Sequence, residues 1–435
     1  MRGGHRRGRA ALAVSMAGLA LALGACSNAA GGATAGSSGA PGVSATEIDV
    51  GSLANISGPV SADFAPIVKG VQAYFDMVNA QGGVYGRKLV LKYQLDDQGI
   101  PTQDSDLART LVSQDHVFAV VGVGTPFFSG AKYLASTGTP TFGYEVSADW
   151  SAGPNLFGQQ GSYLDTTTIY GSDAWFAHEI GAHSVAVVAY GITASSAGCA
   201  LVVNSLQKFG VPVVYQDLAV GFGADLSPDV LQIKSHQADL VASCLDLNGD
   251  IALSRALQQN GVSVKQLWFN GNDQDSLKAY PTLMNGVYFL DQQVPFASAA
   301  LYPGAYSGLE HYIATMEKYE PSGAYNETAL DGWLNADLFV TGLRAAGKDP
   351  TQAKVVAALN KITDYNGGGL IPPVNWTLSH TSSPPPSCIA FIQADAASDT
   401  FKPVLGTGSQ VFVCHGMDST TPITGPVGLP GLPGG

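Results

Sequence analysis

"VVGVGTPFFSGA", Val120–Ala131, is the stretch on which the fold turns. A strongly apolar β-run meets two glycines, Gly122 and Gly124, and then a hydroxyl followed by proline. Thr125 suits an N-cap and Pro126 the first helical position, so the spacing predicts a helix starting here. A helix that begins at the carboxyl end of a parallel strand offers free N–H groups and the positive end of its dipole. The stretch therefore reads as an anion cradle. Taken alone, it fits either a nucleotide phosphate or some other anion.

Outward from this stretch, strands and helices alternate. "EIDVGSLA" and "KLVLKYQLDD" read as strands flanking a helix over 66–80, in which Ile67, Val71, Tyr74, Phe75 and Val78 share one face. A helix over 104–114 leads into "VFAVVGVG", whose unbroken apolar character implies burial on both faces. "TPTFGY" follows. The series then restarts with "SVAVVAYG", a helix over 195–209 and "PVVYQDLAV". Ser227 and Pro228 start another helix as N-cap and first residue. "ADLVASCLDL", a helix over 250–260, "QLWFNG" and "GVYFLDQQ" complete the second series. Residues 306–359 read as helical and 387–414 as a β-hairpin. Roughly 370 residues between the polar ends exceed one ordinary core. Two such series predict an α/β chain with two doubly wound parallel-sheet lobes.

The ends differ from this middle. Arg2, Arg6, Arg7 and Arg9 precede an uncharged, mostly apolar run over 10–25. That run is shorter than the about 20 residues a membrane-spanning helix needs, so residues 1–25 read as a secretory signal. Leu23-Gly24-Ala25-Cys26 resembles the bacterial lipobox, which implies that Cys26 is lipidated and anchors the chain to the outer face of the cell membrane. Residues 26–45 are rich in Gly, Ser and Ala and read as a flexible tether. Residues 416–435 read as a disordered Pro/Gly-rich tail.

Removal of the signal takes four arginines from 21 basic residues and no acid from 34, so the formal charge moves from −13 to −17. Such a charge excludes nucleic-acid binding, which needs a basic face. Cys199, Cys244, Cys388 and Cys414 remain. An even number in an oxidising compartment implies two disulfides, with three pairings open. Cys199–Cys244 and Cys388–Cys414 are favoured because each pair sits in one local unit; four buried thiols are the alternative.

Reaction chemistry is missing. The third glycine of a dinucleotide loop would stand at Phe127, and the loop follows the third strand rather than the first. Gly347-Lys348 runs into Asp349, which breaks a phosphate-loop motif, and no G-x-S-x-G elbow occurs. His178 and His183 stand five apart, about 140° around a helix, where a zinc-protease pair would stand four apart. His116, His236 and His311 are scattered. Asp96 and Asp97 end a strand and read as loop-fixing acids. No metal, cofactor or enzymatic activity is expected.

Taken together, the motifs resemble the Leu/Ile/Val-binding family of ABC-transporter substrate-binding proteins. The markers are Ser57-Gly58-Pro59, Gly70, Asn79-x-x-Gly82-Gly83, Gly86 and Asp96-Asp97, then "GVGTPFFSGA", "GTPTFGYEVS", "AVVAYG", "SPDVLQIKSHQADLV" and "WFNGND". The resemblance spans 47–414 and implies the type I periplasmic-binding-protein fold, two lobes joined by three crossovers with the ligand between them. We place the first lobe at 46–163 and 297–370 and the second at 164–296 and 371–415. The family works as a solute binder for ABC permease subunits, here expected as a monomer holding an amino acid or related small carboxylate. An extracellular sensor for amides or aromatic compounds is the alternative use of the same fold. The resemblance assigns the carboxylate to hydroxyls at Thr125 and Ser147, the ligand's cover to Tyr190 and its ammonium group to Asp273. Asp246 lines the cleft, and Ser57 and Phe64 reach the side chain. Glu145 stands where the family carries a small residue, close in sequence to Tyr144 and Phe142. Either it points away, or the ligand is larger, aromatic or cationic.

Overall fold

Five parallel strands build the first sheet of this computed structural model, which describes residues 39–164, 169–321, 326–382 and 387–415. The signal, Cys26 and the Pro/Gly-rich tail lie outside those residues. The strands are β1 (Glu47–Ala54), β2 (Lys88–Asp96), β3 (Ala119–Gly124), β4 (Thr141–Gly143) and β5 (Leu156–Gly158), in the order β2-β1-β3-β4-β5. β3 is central and buried along its whole length, as its apolar run predicts. It does not stop at the first glycine. Gly122 has φ +86°, and the register of β3 slips there against both β1 and β4. The glycine therefore makes a β-bulge inside the strand, a conformation that costs a residue with Cβ.

The second sheet uses the same order. β6 (Val185–Tyr190), β7 (Val213–Val220), β8 (Leu240–Cys244), β9 (Lys265–Trp268) and β10 (Tyr288–Asp291) run parallel as β7-β6-β8-β9-β10. The return of the chain adds β11 (Ser387–Asp395), β12 (Thr400–Val404) and β13 (Phe412–His415), all antiparallel pairings. The expected hairpin over 387–414 is thus a three-stranded addition. β11 is long enough to pair with β13 through Ser387–Ala390 and with β12 through Phe391–Asp395.

The chain passes between the sheets three times: after β5, after β10, and before β11. Between the second and third passages it adds helices Ser307–Tyr319, Glu327–Ala346 and Gln352–Leu359 to the first lobe. Helix Glu327–Ala346 lies against helix Ile67–Ala80 with almost no gap. A Cβ on Gly70 would stand 1.8 Å from the Ala329 carbonyl oxygen, and one on Gly332 would stand 1.9 Å from that of Ile67. Opposed glycines thus let two backbones touch. Around them Tyr74 meets Trp333 edge-on at 4.8 Å, and Phe142 meets Phe339 at 5.6 Å.

Both disulfides form with the favoured pairing, Cys199–Cys244 and Cys388–Cys414. Asp96 accepts the backbone N–H groups of Ile56 and Ser57 and the Ser57 hydroxyl, which makes it a loop-fixing acid as expected. Helix Ser172–Glu179 ends before His183, so His178 and His183 do not share a helix. Among the described residues, no group of His, Cys, Asp or Glu is arranged to hold a metal, and no helix is long and apolar enough to cross a membrane.

Candidate functional site

In both sheets, strand order reverses between the first and third strand of the series, and open parallel sheets receive ligands at the carboxyl edge of such a reversal. The loops after β1 and β3 mark that edge in the first lobe, and those after β6 and β8 in the second.

The opening stretch behaves differently from its local reading. No helix starts at Thr125; the helix that follows β3 is Ala131–Thr137, with Gly130 before it. Thr125 is buried, and its hydroxyl accepts the Phe127 N–H at 3.3 Å. The N–H of Gly130 is already taken at 2.6 Å by Asp104, a carboxyl from the preceding helix Pro101–Ser113. Gly124 is needed for contact: a Cβ there would press on Ile67 at 3.0 Å and on the Phe64 carbonyl oxygen at 3.1 Å. Phe128 belongs to the core, 4.5 Å from Trp150. The N–H groups of Phe127, Ser129 and Gly130 are thus bonded within the protein, the last of them to a carboxyl.

Other sequence-selected residues divide by position. Ser57 is exposed and bonds to Asp96, and Ser147 lies 3.4 Å from Asp149. Phe64 is buried 5.9 Å from Tyr144. In the second lobe, Tyr190 and Asp246 meet: the tyrosine hydroxyl donates to the Asp246 carboxylate. The same carboxylate accepts the Gly249 N–H at 2.9 Å, capping helix Leu247–Gln259. Asp273 caps helix Gln274–Ala279 through the Ser276 N–H at 2.6 Å. Phe222, 41 % exposed, covers the Tyr190 ring at 4.3 Å.

Asp63, which the sequence reading passed over, crosses between the lobes. It follows β1 in the first lobe, and both its carboxylate oxygens lie 3.4 Å from the backbone N–H of Leu247 in the second. Burial and the neighbouring Asp246 and Asp273 push its pKa well up. Its carbonyl oxygen accepts the Thr328 hydroxyl from the helix that begins at Glu327.

A cavity of about 390 Å³ opens among both lobes and all three passages. Glu145 and Tyr144 line it from the loop after β4, and Phe269 and Gln292 from the ends of β9 and β10. Tyr163 and Tyr170 contribute from the first passage, Asp173 from the helix Ser172–Glu179 that follows it, Glu327 from the first lobe's returning helices, Val374 from the third passage and Cys388 from the start of β11. Of the selected residues, only Glu145 lines this cavity. Its N–H is fixed by the Gln159 side chain at 2.6 Å, while Oε1 is sealed from solvent without a hydrogen-bond partner. Burial alone pushes its pKa well above the usual carboxylate range. Glu327 is pushed the same way by burial and then by Asp291, Asp331 and Asp63.

Behind the cavity runs a polar chain. Asn272 donates to Asp291 at 2.9 Å, Asp291 accepts the Gln293 N–H at 2.9 Å, and the Gln293 amide donates to Asp331 at 2.5 Å. Asp331 lies one turn beyond Glu327 on the same helix face. Two acids at that spacing on one helix are a signal the sequence did carry.

With this geometry in hand, similar proteins can be set beside the chain. The family model described as periplasmic binding protein matches residues 47–399. The Leu/Ile/Val-binding protein homolog 3 of Brucella melitensis is 26% identical over 331 residues, covering 72% of this chain and 83% of its own. A fatty acid ABC transporter substrate-binding protein from Thermomonospora curvata superposes with a TM-score of 0.69 at 18% identity, over 84% of this chain and 93% of that one. The branched-chain amino acid transporter substrate-binding protein LivJ of Streptococcus pneumoniae, in complex with isoleucine, gives 0.69 at 14% identity, over 82% and 99%.

Proposed function

From the premise that this chain belongs to the periplasmic-binding-protein family of ABC-transporter solute binders, we propose that it captures a small amine-bearing solute outside the cytoplasm and delivers it to ABC permease subunits. It acts as a monomer tethered through lipidated Cys26, by binding and lobe closure and without covalent chemistry.

The observation that carries the reading is the cavity itself. At about 390 Å³ it falls in the range of small-molecule sites, and every part of the fold that must move in closure contributes to its wall. A ligand there touches the loop after β4 in one lobe and the ends of β9 and β10 in the other. It therefore rewards the closed arrangement over the open one, which is the differential contact a closing mechanism requires. Asp63 supports the same motion, because its carboxylate meets Leu247 only when the lobes are together.

The amine follows from the lining. An amino acid brings an ammonium group, which Glu145 and Glu327 suit, and a carboxylate, which here must rely on neutral donors. A thermal-shift screen of the full chain against amines, amino acids, amides and carboxylic acids tests the function. A solute at 100 times its Kd stabilises the bound form by about 2.7 kcal/mol. A complete panel without any stabilising compound refutes solute binding.

A further inference from the structure

The cavity is lined with acids and with no base. Glu145, Asp173 and Glu327 contribute carboxyls, and no Lys, Arg or His is among its described lining residues. Burying carboxylates without a counter-charge is costly, so an empty cavity of this kind disfavours the ionised form of its acids. Burial pushes Asp173 up to about 6 and holds Glu145 well above the usual carboxylate range. Asp63, Asp291 and Asp331 add to the field on Glu327 and on the Tyr144 hydroxyl. Among the aliphatic residues of the wall stand four aromatic rings, Tyr144, Tyr163, Tyr170 and Phe269, and the faces of such rings attract cations. Glu145 lines the cavity, and its Oε1 is buried without a hydrogen-bond donor.

Resting on the solute-binding reading above, we infer that the cavity recognises a compact organic cation, an amine or quaternary ammonium compound lacking a free carboxylate. Glu145 and Glu327 supply the counter-charge, and Tyr144, Tyr163, Tyr170 and Phe269 supply the walls. A free carboxylate in the same space meets three acidic side chains and no basic one. Among isosteric solutes the order is therefore amine first, zwitterion second, acid last. The chain's net negative charge works in the same direction by concentrating cations near the cleft.

Three probes of one shape separate the contributions: isoamylamine, leucine and isocaproate, which share a branched tail and differ in the charged group. Benzylamine against benzoate, and tetramethylammonium alone, extend the series. Calorimetry on the full chain is expected to rank isoamylamine above leucine and leucine above isocaproate. Amine binding must ionise protonated acids, so protons are released and the measured heat scales with the ionisation enthalpy of the buffer. Glu145→Gln and Glu327→Gln are each expected to weaken isoamylamine tenfold or more, since a hydrogen bond to a charged group is lost in a buried site. Leucine or isocaproate binding more tightly than isoamylamine overturns the inference, as does unchanged amine affinity in both variants. If a variant does not fold, the wild-type ranking and the proton release still decide. Tight binding of an acid or a zwitterion with weak amines sinks this inference and leaves solute capture standing; failure of every probe class sinks both.

Discussion

Gly70→Ala tests the helix contact that places Glu327. The added Cβ would stand 1.8 Å from the Ala329 carbonyl oxygen and 2.7 Å from the Trp333 nitrogen, both backbone atoms. Reaching even the 3.0 Å that real Cβ atoms respect requires a displacement of 1.2 Å between the helices. Rotamer changes cannot supply that, because no side chain is in the way. The helices must part, which opens gaps around Tyr74, Phe75, Trp333 and Phe339 in the core. Alanine returns about 1 kcal/mol of helix propensity. Overpacking costs about 1–3 kcal/mol when side chains adjust, and more when backbone must shift. A net loss of about 3 kcal/mol is expected, seen as a drop of roughly 6–12 °C in the melting of the first lobe. Gly198→Ala is the matched control: it lies in helix Thr193–Lys208 with nothing within 4 Å of a new Cβ, and it should melt at or slightly above wild type. Differential scanning calorimetry of the three chains decides. A Gly70→Ala protein that melts within a degree of wild type refutes the close approach, and with it the placement of Glu327.

Asp246→Ala removes a helix cap and strands the Tyr190 hydroxyl, so urea unfolding should show a loss of about 2–4 kcal/mol; Asp246→Asn, whose amide oxygen still accepts both bonds, should lose far less. Stability of the ligand-free chain should fall as pH rises from about 4 to about 8. Burial pushes Asp173, Asp291 and Asp104 up to about 6, 7 and 8, so the native state holds more protons than the unfolded state across that window. Asp104→Asn, which keeps an oxygen for the Gly130 N–H, should flatten the alkaline part of that slope in unfolding curves at pH 5 and 8. Cys26→Ser should move the protein from the membrane fraction to the medium and abolish palmitate labelling; a variant that stays membrane-bound counts against the lipid anchor.

The alternation of strand and helix was legible because each parallel strand, covered on both faces, leaves an apolar run such as "AVVGVG" or "VAVVAY". The disulfides were legible because their partners lie in neighbouring elements. Thr125 illustrates where local reading stops. Its residue types suit a helix start, yet the helix begins only at Ala131, and the Gly130 N–H before it is taken by Asp104, which comes from outside the stretch. Glu145 stood out as a single carboxyl among aromatics, and the structure places it in the cavity. Asp63 had no such mark. It sits in an ordinary polar turn, and its surroundings come from Asp246, Asp273 and Leu247, which meet it only through tertiary folding. Glu327 likewise reads as an acid in the first turn of a helix, a common stabilising position. Only the return of that helix to a lobe begun far upstream brings it to the cavity wall.

Because the second sheet is completed by β11–β13, synthesis leaves it unfinished for a long time. When β10 has emerged, its outer edge has no neighbour until residue 387 follows, and an unpaired strand edge invites wrong partners. The first lobe waits too, since helix Ile67–Ala80 lacks its cover until Glu327–Ala346 arrives. Neither lobe can mature before most of the chain has been made. Oxidation then has a natural order: Cys199 and Cys244 are both present early, whereas Cys388 and Cys414 are joined only at the close and fasten the last strand in place.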